Sequence, residues 1–184
     1  VAKGLVINAR LEGFDELRAR LDYFPDRMRN NFLRGGARAA GAVLARRLKA
    51  RLSADGLRTA AGSVRTSVRL QGGPTATSVR GVVQYGGRYQ SATGRGEARR
   101  KVSRDAWYAH ILEWGAKPHE IRARPGHTLA LGPPLRDFRR KVKHPGIVAR
   151  LYATRTAAQD MPAANRAFEN YVEARVARFW SSGR

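Results

Sequence analysis

Apolar residues recur at helical spacing in three stretches of the chain. Phe14, Leu17, Leu21 and Phe24 share one face of a short amphipathic helix that Pro25 stops, and Asp26 stands where it would cap the helix that follows. That second helix runs to about Leu52, with Met28, Phe32, Ala39, Val43, Leu44, Leu48 and Leu52 as its apolar stripe. Gly35-Gly36 and Gly41 each lower its helix propensity by about 1 kcal/mol, which predicts a kink or a close packing contact there. Near the far end, Phe168, Tyr171, Val172, Val176, Phe179 and Trp180 form the stripe of a final helix, capped by Asp160 with Pro162 in its first turn. These aromatics are expected to complete the protein's own core.

Elsewhere the period is two. Leu5, Ile7, Ala9 and Leu11 alternate weakly, as a strand or an ordered arm. Val64, Thr66, Val68 and Leu70 alternate with Arg65, Ser67 and Arg69, Gly72-Gly73-Pro74 turns the chain, and Val79 to Tyr85 returns, which predicts a hairpin. Trp107, Ile111 and Trp114 mark a short helix from Trp107 to Gly115, with Gly115 where a left-handed C-terminal residue is needed. Ile121, Leu129 to Leu131 and Phe138 to Val142 follow as three short strands, punctuated by Pro118, Pro125-Gly126 and Pro133-Pro134 and closing at His144-Pro145-Gly146. The whole predicts an α+β fold in a single domain over residues 1–184. A small antiparallel sheet of four or five strands packs against a long kinked N-terminal helix, a short central helix and a C-terminal helix. Between Gly86 and Arg104 the pattern dissolves into a basic Gly-rich loop.

Charge changes the picture most. The 184 residues carry 36 Lys+Arg against 14 Asp+Glu, a formal net charge of +22. A free monomer with that surplus repels itself and binds polyanions without discrimination. No acid falls between Arg27 and Arg51, or between Asp55 and Glu97. Like charges one turn apart on a helix repel unless something neutralises them, so the long helix is expected to meet a polyanion or an acidic neighbour. Candidate DNA-channel or subunit-interface groups are Arg46, Arg47, Lys49 and Arg51 on that helix, and Arg95, Arg99, Arg100, Lys101 and Arg104 in the loop. A loop so long is expected to be gripped by a neighbouring subunit.

Cysteine is absent, so disulfides and thiolate metal sites are excluded. No apolar run approaches the roughly 18 residues of a spanning helix and no signal peptide precedes the first element, which predicts a soluble component with no membrane partner. His110, His119, His127 and His144 are the only histidines, and none is spaced as a zinc signature. Gly94-Arg95-Gly96 lacks the Lys-Ser/Thr of a phosphate-binding loop, and the carboxylates are few and scattered. The expectation is a non-enzyme with no cofactor and no metal.

The stretch from Tyr108 to Gly146 supplies a motif. An aromatic-Ala-His-x-x-Glu-x-Gly helix end (Tyr108, Ala109, His110, Glu113, Gly115) is followed by Pro118-His119-x-Ile121, then a basic strand, then Val142-Lys143-His144-Pro145-Gly146. This resembles the tail completion, or head-tail joining (neck), proteins of long-tailed bacteriophages and related phage-like particles, a gene-ten-like minor tail component family. The likeness covers roughly a quarter of the chain. Where that family commonly continues Pro-Phe-Leu-Arg-Pro-Ala, this chain has Ala149 to Thr154, keeping an aromatic at Tyr152 and neither proline.

The resemblance implies a structural virion protein, assembled in the bacterial host cytoplasm and located at the head-tail interface. It would form a homo-oligomeric ring, six-fold in tails, between the head connector or stopper and the tail terminator or tail tube. Packaged double-stranded DNA would pass through it, held by phosphate contacts that carry no sequence information. Two alternatives stand beside this one: the tail terminator ring, and a free basic nucleic-acid-binding protein supported by charge alone.

Overall fold

Two long helices run antiparallel along almost their whole length. The structure, a computed structural model, describes residues 5–9, 21–71, 78–93, 100–131 and 137–181. Helix α1 (Asp26–Ala54) starts directly after Pro25, whose carbonyl accepts from Met28 and Arg29 N–H, so Asp26 is the first helical residue and not the cap. Its carboxylate instead pairs with Arg29 at 2.6 Å, near the positive end of the helix dipole. The helix stops in a Schellman turn: Gly56, at φ 74°, donates to Ser53 O and Leu57 donates to Leu52 O.

Its partner, α4 (Tyr152–Ser181), begins eight residues before the expected cap at Asp160, and Pro162 lies inside it. Phe24, just ahead of α1, stacks edge-on against Phe179 and Trp180 at the end of α4, with ring centroids at 5.0 and 6.0 Å. Phe168 and Val172 are buried as expected, whereas Trp180 is largely exposed. Further along, Gly35 and Gly36 let the helices close. A Cβ on Gly35 would overlap the Tyr171 ring, and one on Gly36 would lie 2.7 Å from the buried Phe168 ring. The glycines therefore serve close packing, and α1 is unbroken through them. At the far end the Tyr152 hydroxyl donates to the carboxylate of Asp55.

The opposite flank of α1 covers a three-stranded antiparallel sheet in the order β1 (Leu5–Ala9), β3 (Ser78–Tyr85), β2 (Arg65–Gln71). The predicted hairpin is present with Thr66 opposite Val83, and Leu44, Leu48, Leu52, Val64, Val83 and Tyr85 form the buried centre. A short helix α2 (Arg58–Gly62) joins α1 to β2, and buried Ser63 ties it down, accepting from Gly86 N–H and donating to Ala60 O.

The expected loop from Gly86 to Arg104 is largely a β-ribbon. Strands β4 (Gly87–Thr93) and β5 (Arg100–Ala106) pair antiparallel, with Tyr89 opposite Arg104. Tyr89 is buried and its hydroxyl donates to Thr59 O at 2.9 Å. The single sheet of four or five strands is thus a three-stranded sheet plus separate two-stranded ribbons. The short helix expected at 13–24 lies outside the described residues except for its end, where Leu21 and Phe24 are buried.

The single domain expected over 1–184 is built of two compact units. The first holds α1, α2, β1 to β5 and α4. The second, residues 110–151, contains α3 (Ala109–Trp114) apart from its first residue, then β6 (His119–Arg122), β7 (Leu129–Leu131), β8 (Asp137–Arg139) and β9 (Lys141–His144). The helix expected from Trp107 to Gly115 is only six residues long, and 107–108 form a turn ahead of it. The expected three strands are four, in two antiparallel pairs of one continuing hairpin: β6 with β9 and β7 with β8.

Candidate functional site

The motif residues of the central stretch, some thirty positions apart in sequence, meet in one backbone knot at the root of this hairpin. Gly115 ends α3 at φ 74°, as the sequence requires, and Gly146 sits at φ 91° on the returning arm. Between them Ala116 and Ile147 form a reciprocal bridge, each N–H donating to the other's carbonyl at 2.8 and 2.9 Å. A Cβ at Gly115 would stand 2.5 Å from Ile147 O, and one at Gly146 2.5 Å from Ala116 O. Both glycines are needed for conformation and for space at once. Arg150 N–H then donates to Leu112 O at 2.8 Å, drawing the arm back along α3.

One step outward, His119 and His144 are cross-strand partners with ring centroids 5.0 Å apart. His144 Nδ1 accepts from Gly146 N–H, and His119 Nδ1 lies 2.9 Å from Lys117 O. His144 therefore locks the Pro145-Gly146 turn, as its place in the motif suggests. Next in register, Glu120 receives Arg122 Nε at 2.5 Å, with Lys141 Nζ at 4.0 Å. The hydrogen bond from Arg122 and the two nearby cations hold its carboxyl below the usual 4.5, against a smaller opposing effect of desolvation.

Burial in this unit is unusual. Among its described side chains only Glu113 is buried, while Trp114, Ile121, Phe138, Ile147 and Val148 are exposed, Val148 by 85 %. A two-stranded ribbon is marginal in water, so an apolar surface of this kind on an arm without its own core calls for something to lie against it.

No known protein family, curated protein or solved structure matches this chain.

The cations singled out by sequence separate into distinct groups. Arg51 turns inward to α4: its guanidinium donates to the buried hydroxyl of Thr156 at 2.6 Å and to Gln159 Oε1 at 2.7 Å. It also pairs with Asp160 at 2.6 Å, through an N–H direction that makes the contact an ion pair more than an aligned hydrogen bond. Arg47 reaches the same carboxylate at 3.6 Å. Asp160, expected to cap a helix, is thus the anionic anchor between α1 and α4. Arg46 and Lys49, by contrast, are exposed and have no ion pair among the described residues.

Arg95 and Arg99 lie outside the described residues, and Arg100 opens β5. Lys101 and Arg104 are exposed on β5 but three residues apart, hence on opposite faces of the ribbon. The strand places Arg104 on the Tyr89 face and Lys101 on the face of the Arg88–Asp105 pair, whose closest approach is 3.5 Å. The six candidates whose side chains are described do not gather into a single patch.

Arg27, Arg34 and Arg38 are not among the candidates named from sequence. All three are exposed on the same side of α1 as Lys49. Their spacing of seven, four and eleven residues was the available signal. Among the described residues no group of three or more His, Cys, Asp or Glu could hold a metal ion, and no helix is long and apolar enough to cross a membrane.

Proposed function

We propose that this chain is a structural ring component at the head-tail junction of a long-tailed phage or phage-like particle. In this role, that of a tail completion or neck protein, it joins the tail to the head connector and surrounds the path of the packaged DNA. The observation that carries the reading is the second unit. The motif residues Gly115, Pro118, His119, His144 and Gly146 converge on one knot there; the hairpin presents Ile121 and Phe138, the returning chain presents Val148, and among the unit's described side chains only Glu113 is buried.

An arm with that surface gains stability only by lying on another molecule. In a ring of identical subunits the neighbouring copy is always at hand. The net charge of +22 supplies the second support, because self-repulsion of such a ring is relieved when phosphate fills its centre and acidic protein surfaces flank it. The runner-up, a tail terminator ring, shares both supports and differs in the layer it occupies.

The test is the mass of the full chain, alone and mixed with its particle's connector, by mass photometry and negative-stain microscopy. Closed rings are expected for the unaltered protein. The F138S/V148S variant should stay monomeric while its thermal unfolding moves by less than about 2 °C, since both side chains are exposed. A protein that remains monomeric with connector present, and is missing from purified particles, would sink the proposal.

A further inference from the structure

One exposed side of α1 carries cations along most of its length, interrupted by Ala42 and by the buried Ala45. Arg27, Arg34, Arg38 and Lys49 project within a narrow sector of the helix, with Arg46 at its margin, and all five are exposed. None has an ion pair or hydrogen-bond partner among the described residues, and no acid occurs anywhere in residues 27–54. The other cations of the same helix are used differently: Arg29 pairs with Asp22 and Asp26, while Arg47 and Arg51 pair with Asp160. The unpartnered set is therefore confined to one side. From Arg27 to Lys49 it spans about 33 Å, roughly one turn of duplex DNA.

We infer that this face of α1 is a binding site for the phosphate backbone of duplex DNA, read without regard to sequence. An acidic protein surface would also be attracted, but protein interfaces are built around buried aromatic or aliphatic anchors. No exposed large apolar side chain lies on α1. Those present among the described residues are Tyr23, Trp107, Trp114, Ile121, Phe138, Ile147, Val148 and Trp180, all on other segments. The exposed residues that accompany the cations include Asn31, Ala42 and Ser53, small or hydrogen-bonding groups that let a phosphate strand approach. A straight helix offers no reading head to base edges beyond its cations, so affinity comes from counterion release and carries a steep salt dependence.

This site rests on the ring reading only for the source of the duplex, and its test separates the two. Binding of the full chain to fluorescent 30-base-pair duplexes, one A·T-rich and one G·C-rich, is measured by anisotropy between 50 and 200 mM salt. The R34Q/R38Q/K49Q variant, whose substitutions are exposed and keep helix-forming residues, is compared with a K117Q/R122Q/R124Q variant of the hairpin arm.

The unaltered chain should bind both duplexes within about twofold of each other. The α1 variant should lose about tenfold or more in affinity at 100 mM salt and flatten the logarithmic salt slope by about 3, with unchanged circular dichroism. The arm variant should lose less than the α1 variant. Equal losses in both variants, an unchanged slope in the α1 variant, or retention of DNA binding with loss of affinity for polyglutamate would overturn the site. Rings that form normally from an α1 variant with undiminished DNA affinity would overturn the site while leaving the ring intact. Weakened DNA binding in a chain that never assembles would uphold the site and refute the ring.

Discussion

Replacing Arg51 by methionine separates structural cations from ligand-binding ones. The substitution keeps the length and apolar stem of the side chain and deletes the guanidinium, which bonds Thr156 and Gln159 and pairs with Asp160. The Thr156 side chain is fully buried and Asp160 is 13 % exposed, so both lose a partner that water replaces poorly. Breaking a fully buried ion pair costs about 3–5 kcal/mol, and a hydrogen bond to a charged group about 1.5–3 kcal/mol.

Two features reduce that figure here. The Arg51 side chain is 29 % exposed, and Arg47 stays 3.6 Å from the same carboxylate, although 62 % exposed itself. A loss of about 2–3 kcal/mol results, which for a chain of this size lowers the melting temperature by roughly 5–10 °C. Urea unfolding followed by circular dichroism measures it. The R51M/D160L double variant should recover at least half, because removing both charges abolishes the uncompensated one. A loss below about 0.5 kcal/mol, or a fall in DNA affinity as large as that of the α1 stripe variant, would refute the assignment of Arg51 to the helix interface.

Gly36→Ala should destabilise by about 1–2 kcal/mol in the same assay even though alanine is the better helix former by about 1 kcal/mol, since its methyl group would press on the buried Phe168 ring; a stabilised variant would show that α4 yields freely. The Glu120 carboxyl, followed by NMR, should titrate below 4.5 and move upward in Arg122→Ala. Because its folded value is depressed, any stability it confers is present above the unfolded value and fades as pH falls through the folded one. A midpoint unmoved by Arg122→Ala would remove the pair as the cause.

The two long helices α1 and α4 and the 65–85 hairpin were legible because their apolar periods are long and regular. The β4–β5 ribbon was hidden by its composition. The face that carries Tyr89 also holds Ser91, Val102, Arg104 and Ala106, with Tyr89 its one large apolar group, and Gly86-Gly87 together with the run of cations reads as loop. Asp160 and Pro162 imitate a helix start, yet α4 is already established from Tyr152, whose buried ring and bond to Asp55 fix its first turn. Pro162 and Ala158 both face solvent, so the carbonyl that the proline leaves without a donor can be served by water.

Gly115 as a helix end and His144-Pro145-Gly146 as the close of the strands were legible, but their convergence depends on the bridge between Ala116 and Ile147, which no local pattern encodes. Which arginines are spent inside the fold depended on α4 meeting α1, a tertiary contact that helical periodicity on α1 alone does not specify.

The most direct test of the central claim is an electron cryo-microscopy map of particles containing this chain, at a resolution that traces helices. A closed ring between connector and tail is expected, with residues 110–151 of each copy lying on the next copy and the outer face of α1 turned to the DNA path. A particle whose head-tail junction lacks this chain, or a ring whose hairpins point into solvent, would contradict it.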